Sequence, residues 1–156
     1  MAWAAQNLSD WYGMDSVELS QDEQAIAASI LWLLRGDAGQ RALMAWSYGW
    51  DDARQASGTE WMAPYLAQLL EDPYAAVRLI AQRSLRTLDG YENFDYDAIG
   101  PASRFESSHQ MVLEIWMDTQ PKSNAALLID SSRTLIRKDV MRLLRERDDR
   151  PITLVE

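Results

Sequence analysis

The 156-residue chain has 24 acidic residues against 15 Lys and Arg, a net charge of -9, and no cysteine. The acidic excess opposes nucleic acid and anionic membranes as partners, since both select basic surfaces, and the missing cysteines exclude disulfides, thiolate catalysis, zinc–cysteine sites and covalent haem attachment. A hydrophobic content of 47% with seven Trp supplies the core of one domain, or of roughly three to four stacked helix pairs.

The opening residues MAWAAQNLSDWYG have neither the basic flank nor the apolar stretch of a signal peptide. No apolar run approaches the roughly 20 residues that span a bilayer, so membrane insertion is not expected. Ala2 to Leu8 fit a short helix, and Ser9 to Gly13 read as the turn that ends it. Because Met1 leads straight into that segment, we expect a piece of a longer chain. A clearer helix starts at the capping box Ser20-Gln21-Asp22-Glu23, and Ile26, Ile30, Leu33 and Leu34 form its apolar stripe. Gly36 and Gly39 punctuate the following turn. Arg41 to Gly49 then resumes a helical pattern through Leu43, Met44 and Ala45, giving a first hairpin. Trp50 to Gly58 reads as a short helical turn plus linker, with Thr59 capping the next helix.

Trp61 to Leu88 is the most regular stretch. Met62, Leu66, Leu69 and Leu70 recur at three- and four-residue steps, as do Val77, Ile80, Ala81, Leu85 and Leu88 after the turn Glu71-Asp72-Pro73. Pro73 suits a first helical turn, and Asp72 is the expected N-cap. Adding 36 to Ile30, Leu33, Leu34, Leu43, Met44 and Ala45 lands on Leu66, Leu69, Leu70, Leu79, Ile80 and Ala81. One unit cannot bury its apolar face alone, so such a period predicts stacking. The first unit departs from the second where Asp37 meets Pro73 and Arg41 meets Val77. The run Asp72, Pro73, Val77, Arg78, Ala81 and Leu85 resembles the second helix of a HEAT repeat. That resemblance implies an all-α superhelix of stacked hairpins: one domain over 1–156, with units at about 21–50 and 60–88, an irregular third unit at about 102–147 and an irregular C-terminal extension. In that pattern Arg78 sits at an edge where a neighbouring unit offers a carboxylate.

After Leu88 the segment Asp89 to Pro101 breaks the periodicity and reads as a crossover. Its Tyr91, Phe94 and Tyr96 are expected to pack inward while Glu92, Asp95 and Asp97 face water, because the spacing of a calcium loop is missing. Ser103 to Asp118 suggests a helix that stacks on the central hairpin. A short apolar run at Ala126 to Ile129 and a last helix through Val140, Leu143 and Leu144 follow. Pro151 stops that helix, leaving residues 152–156 as an extended arm. The basic residues Arg137, Lys138, Arg142, Arg145, Arg147 and Arg150 are interleaved with Asp139, Glu146, Asp148 and Asp149, which marks a solvated face.

Groups that converge for chemistry are scarce. His109 is the single histidine, and its neighbour Ser108 points about 100 degrees away on a helix, so the two cannot pair as base and nucleophile. With one His and no Cys, only an oxygen-rich cation site is conceivable, and Asp51-Asp52, Asp95/Asp97 and Asp148-Asp149 lack a ligand spacing. Most of the aromatic residues are expected in the core. Trp46, Tyr48 and Trp50 surround one helix end, however, so at least one of them should reach the surface.

The runs Ile30 to Trp50, Ala56 to Leu88 and Arg142 to Glu156 resemble the C-terminal region of bacterial multihaem c-type cytochrome proteins. That resemblance implies an exported electron-transfer parent whose upstream part binds haem c through CxxCH motifs. This chain has no such motif, so no cofactor-binding residue is carried over to it. The expectation is therefore a non-catalytic scaffold that contacts another protein or an upstream domain of its parent. Trp46, Tyr48, Arg78 and Arg83 are the expected contact surface. An alternative is a small-molecule or hydrolytic groove built from His109, the Tyr91 to Asp97 loop and nearby Trp rings, and a third is a calcium-binding regulatory domain.

Overall fold

The computed structural model describes residues 7, 9–13, 18–119 and 121–151, and these are helical with no strand among them. The elements are α1 (Gln21–Ala25), α2 (Ala28–Arg35), α3 (Ala38–Tyr48), α4 (Asp51–Ser57), α5 (Ala63–Leu69), α6 (Ala75–Leu85), α7 (Ala102–Asp118), a single 3₁₀ turn (Ala125–Leu127) and α8 (Arg137–Arg145). Residues 9–12 are helical and close at Gly13, whose amide bonds Ser9 O at 2.9 Å and whose φ is +62°. The expected turn at 9–13 is thus a helix end. The helix expected at Ala2 to Leu8 and the arm at 152–156 lie outside the described residues.

The helices form two layers. In one row α8, α2, α5 and α7 lie side by side, and α3 and α6 pack together behind α2 and α5. The 36-residue period is visible in burial: Ile30, Leu31, Leu33 and Leu34 are fully enclosed, and so are Leu66, Ala67, Leu69 and Leu70 at the matching positions. Each helix of the first row would expose its apolar stripe if isolated, so burial of these eight side chains depends on the neighbouring unit.

Local chemistry sets the ends. Ser20 and Glu23 bond each other's backbone amides at 3.3 and 2.9 Å, closing the capping box at α1. Asp37 and Gln40 do the same at α3, at 2.8 and 3.1 Å. Thr59 does not cap; α5 starts from Met62 with Pro64 in its first turn and no side-chain cap. Trp50 to Ser57, expected as part linker, is largely the helix α4.

The C-terminal third departs from a simple third unit. α7 stacks on α5, with Val112 and Trp116 buried and the Trp116 indole donating to Glu60 O at 2.7 Å. The expected partner of α7 within 102–147 was the last helix, but α8 instead packs against α2 at the opposite end of the row. The connection crosses the row, where Ala27 N bonds Ala126 O at 2.8 Å and the Tyr65 hydroxyl donates to Leu127 O. Leu128 and Ile129 are buried there, and Leu128 adopts φ +52° to close the turn. The helix at the far edge of the chain thereby covers the first unit, and a row that began at α2 gains a cover that a linear stack would lack. Arg142 of α8 donates to Asp22 of α1 at 2.8 and 2.9 Å, and Arg35 of α2 donates to the same carboxylate at 3.3 Å.

Candidate functional site

Two clusters and one face merit description. The first cluster is a buried charge knot. Arg41 occupies the inward position that Val77 holds in the second unit, and its side chain is 0% exposed. An arginine enclosed among Leu and Ala must be compensated. Asp72, also 0% exposed, accepts from Arg41 Nε at 2.6 Å and from Nη2 at 3.2 Å. Arg41 Nη1 donates to Gly36 O at 2.7 Å and to Asp148 O at 3.1 Å, and Asp149 lies 3.5 Å from Nη2. The mismatch of Arg41 with Val77 in the repeat register therefore has a physical cause: the first unit spends a core position on tying both units and the C-terminal tail together. Asp72 Oδ1 also accepts from Tyr74 N at 2.9 Å, but it is not the expected N-cap: α6 begins at Ala75 from Tyr74 with no side-chain cap, and Pro73 stands before its first turn.

The second cluster surrounds His109. Its Nδ1 meets Glu71, and its Nε2 lies 2.9 Å from the Gln68 amide nitrogen. The tautomer that satisfies both donates from Nδ1–H to the carboxylate and accepts at Nε2 from the Gln68 amide. Both ring nitrogens are then engaged in holding α7 to the α5–α6 turn, and no hydroxyl is among their partners. The other part of the expected groove is the 91–97 loop. That loop is a packed crossover: Tyr91, Phe94 and Tyr96 are buried, Phe94 stacks on Tyr96 at 6.3 Å, and Glu92, Asp95 and Asp97 are exposed.

The expected contact residues divide. Tyr48 is buried, packing edge-on against Trp61 at 5.0 Å, and burial pushes its hydroxyl pKa upward. It belongs to the core because at its register it points between the two layers. Arg78 is occupied internally: Nε donates to Ala98 O at 2.8 Å, Nη1 donates to Asp72 O, and the guanidinium stacks 4.5 Å over Phe105. Carbonyls, not a neighbour's carboxylate, satisfy it. Trp46 and Arg83 do come together. They line a depression of about 320 Å³ with Trp50, Asp51, Ser84 and Thr87 on its walls. Trp46 and Trp50 are stacked at 6.0 Å and 16°.

This depression belongs to a longer face. On α3 the exposed residues Gly39, Leu43 and Trp46 recur at four and three residues, which is one stripe of a helix, and Trp50 follows just beyond its end. On α6 the exposed residues are Ala76, Leu79, Arg83 and Arg86. Trp46 is 56% exposed, Trp50 50%, Leu43 50% and Leu79 40%. Neither 38–48 nor 75–86 contains a single Asp or Glu, although the chain has 24. Leu43 and Leu79 stand at matching positions of the 36-residue register, and both are exposed on their helices. Gly49 permits that pairing, since a Cβ there would stand 2.7 Å from Ser84 Oγ and 3.1 Å from Ser84 Cα.

These features define an all-α protein, with no helix among the described residues long and apolar enough to cross a membrane. No protein-family model, curated protein or solved structure matches the chain.

Proposed function

We propose that this chain is a HEAT-like helical scaffold whose α3/α6 face docks another protein or an upstream domain of its parent. One observation carries the reading: in an acidic protein, α3 and α6 themselves carry no carboxylate and present two Leu and the stacked Trp46 and Trp50 half in water, with Asp51 and Asp97 only at the rims. Exposed aromatic and Arg side chains grouped in this way are the composition of contact hot spots. The likeness to the C-terminal region of multihaem cytochromes supports an electron-transfer parent, with this chain as a non-catalytic accessory domain and any haem c held upstream. CxxCH codons upstream of this segment are the expected finding, and their absence would remove that parent.

The docking reading is tested by placing a photo-crosslinking amino acid at position 43 or 79 of the full-length parent in its host cell. Position 107, on the outer side of α7, serves as control. A discrete covalent protein product from 43 and 79, absent from 107, is the expected result. Equal labelling at all three positions would overturn it.

A further inference from the structure

Resting on that docking reading, we infer that the occupant of the α3/α6 face is a short peptide segment carrying an aromatic or aliphatic anchor beside a carboxylate. Size argues for a segment. With roughly half of each Trp exposed and aromatic side chains covering about 150–250 Å² each, the two Trp and two Leu offer on the order of 400 Å². That is about half of the roughly 800 Å² each partner of a standard interface buries, an apolar area that a short segment covers by itself.

Charge argues for the carboxylate. Arg83 is exposed, lines the depression beside Trp46, and has no hydrogen bond or ion pair among the described residues. Arg86, one turn further, uses its Nε on Glu92 O at 3.0 Å and keeps its charge. The adjacent Asp51 is already paired with Arg54. Arg83 and Arg86 thus bring cations to α6 that no carboxylate of that helix offsets, and the carboxylate lining the same depression, Asp51, is held by Arg54. At physiological ionic strength the repulsion of an acidic segment by distant carboxylates is screened beyond about 8 Å, whereas contact with Arg83 is not. The apolar anchor enters the depression walled by Trp46 and Trp50, and the carboxylate meets the Arg83 fork, which is shaped for bidentate recognition.

A random peptide library displayed on phage and panned on the intact protein tests this. Enriched sequences are expected to place Trp, Phe or Leu next to Asp or Glu. Synthetic versions are expected to lose at least about tenfold in affinity against W46A, W50A and R83E, with R83K recovering part of the loss. All three positions are exposed, and an unchanged far-ultraviolet spectrum and melting temperature verify that each variant is folded. Enriched peptides that depend on Trp46 and Trp50 but lack acids, or bind R83E equally well, would overturn this inference and leave the docking reading standing. Enrichment of no peptide that depends on either Trp would overturn both.

Discussion

The substitution Asp72→Asn removes the buried charge that faces Arg41 and, at 4.0 Å, Arg147, while asparagine keeps the shape and still accepts from Tyr74 N through its Oδ1. It leaves Arg41 fully enclosed and without its nearest counter-charge. Removing one partner of a buried pair costs about 3–5 kcal/mol. Asp149, 3.5 Å from Nη2 and 48% exposed, takes up part of the charge in the variant, so the lower end applies, about 3 kcal/mol. For a chain of this length about 2–4 °C is lost per kcal/mol, so the melting temperature falls by about 6–12 °C. Total stability of a domain is about 5–15 kcal/mol, and the variant stays folded enough to measure.

The assay is urea and thermal unfolding followed by circular dichroism, on the wild type, D72N, R41M and R41M/D72N. Removing both charges is expected to be less costly than the sum of the two single changes by at least about 1 kcal/mol, because neither partner is then stranded. A loss below about 1 kcal/mol for D72N, or additivity within about 0.5 kcal/mol, would refute the idea that the two side chains compensate each other.

Burial raises the hydroxyl pKa of Tyr48, Tyr65, Tyr91 and Tyr96, the last to about 12. A phenol held neutral contributes stability that is whole below its ordinary value near pH ~10 and is lost as pH rises toward the folded value. Phenolate absorbance from these four should therefore appear together with loss of helix; a separate earlier ionisation step for them would contradict their placement. The hydrogen bonds from Arg142 hold the Asp22 carboxyl below its usual range. That stabilisation is present above the unfolded value near pH ~4 and drains away as pH falls through the folded one, so D22N should flatten the acid limb of the stability curve at a cost under about 1 kcal/mol. Gly49→Ala should cost about 1–3 kcal/mol in urea unfolding, because its methyl group collides with Ser84 on the neighbouring helix. A neutral result would mean that α3 and α6 are not in close contact.

Much of the layer arrangement was legible because apolar periodicity reports which face of a helix is hidden. Ile30, Leu33 and Leu34 matched Leu66, Leu69 and Leu70 in sequence and do so in burial. The capping box at Ser20 and the inward rings of the 91–97 crossover are likewise local signals. Periodicity does not report which neighbour covers a face. The placement of α8 on α2, and the burial of Arg41 against an aspartate 31 residues later, depend on contacts remote in sequence. For the same reason Tyr48 and Arg78 read as surface and are internal, while Trp46 and Arg83 read as surface and share one depression. The only hint of the knot was a fault in the repeat, an arginine where valine belonged.

That fault also bears on the proposed docking face. α3 and α6 carry the stripe, and a rigid target requires that their relative position be fixed. Packing between them is close and relies on small residues, since a side chain at Gly49 would collide with Ser84. Arg41 sits on α3 and Asp72 on the turn leading into α6, so the bidentate pair locks the two helices in register from their N-terminal ends. Directional hydrogen bonds specify register where apolar contact alone permits sliding, and a one-step slip would move Trp46 away from Arg83. A buried pair that is a weak contributor to net stability thereby has a reason to be present: it fixes the spacing between the aromatic wall and the cation. R41M/D72N, with stability partly recovered, should accordingly still bind the selected peptides more weakly than wild type, a loss that Trp46 and Arg83 themselves, both unchanged, do not explain. Undiminished binding by that double variant would confine the knot to stability alone.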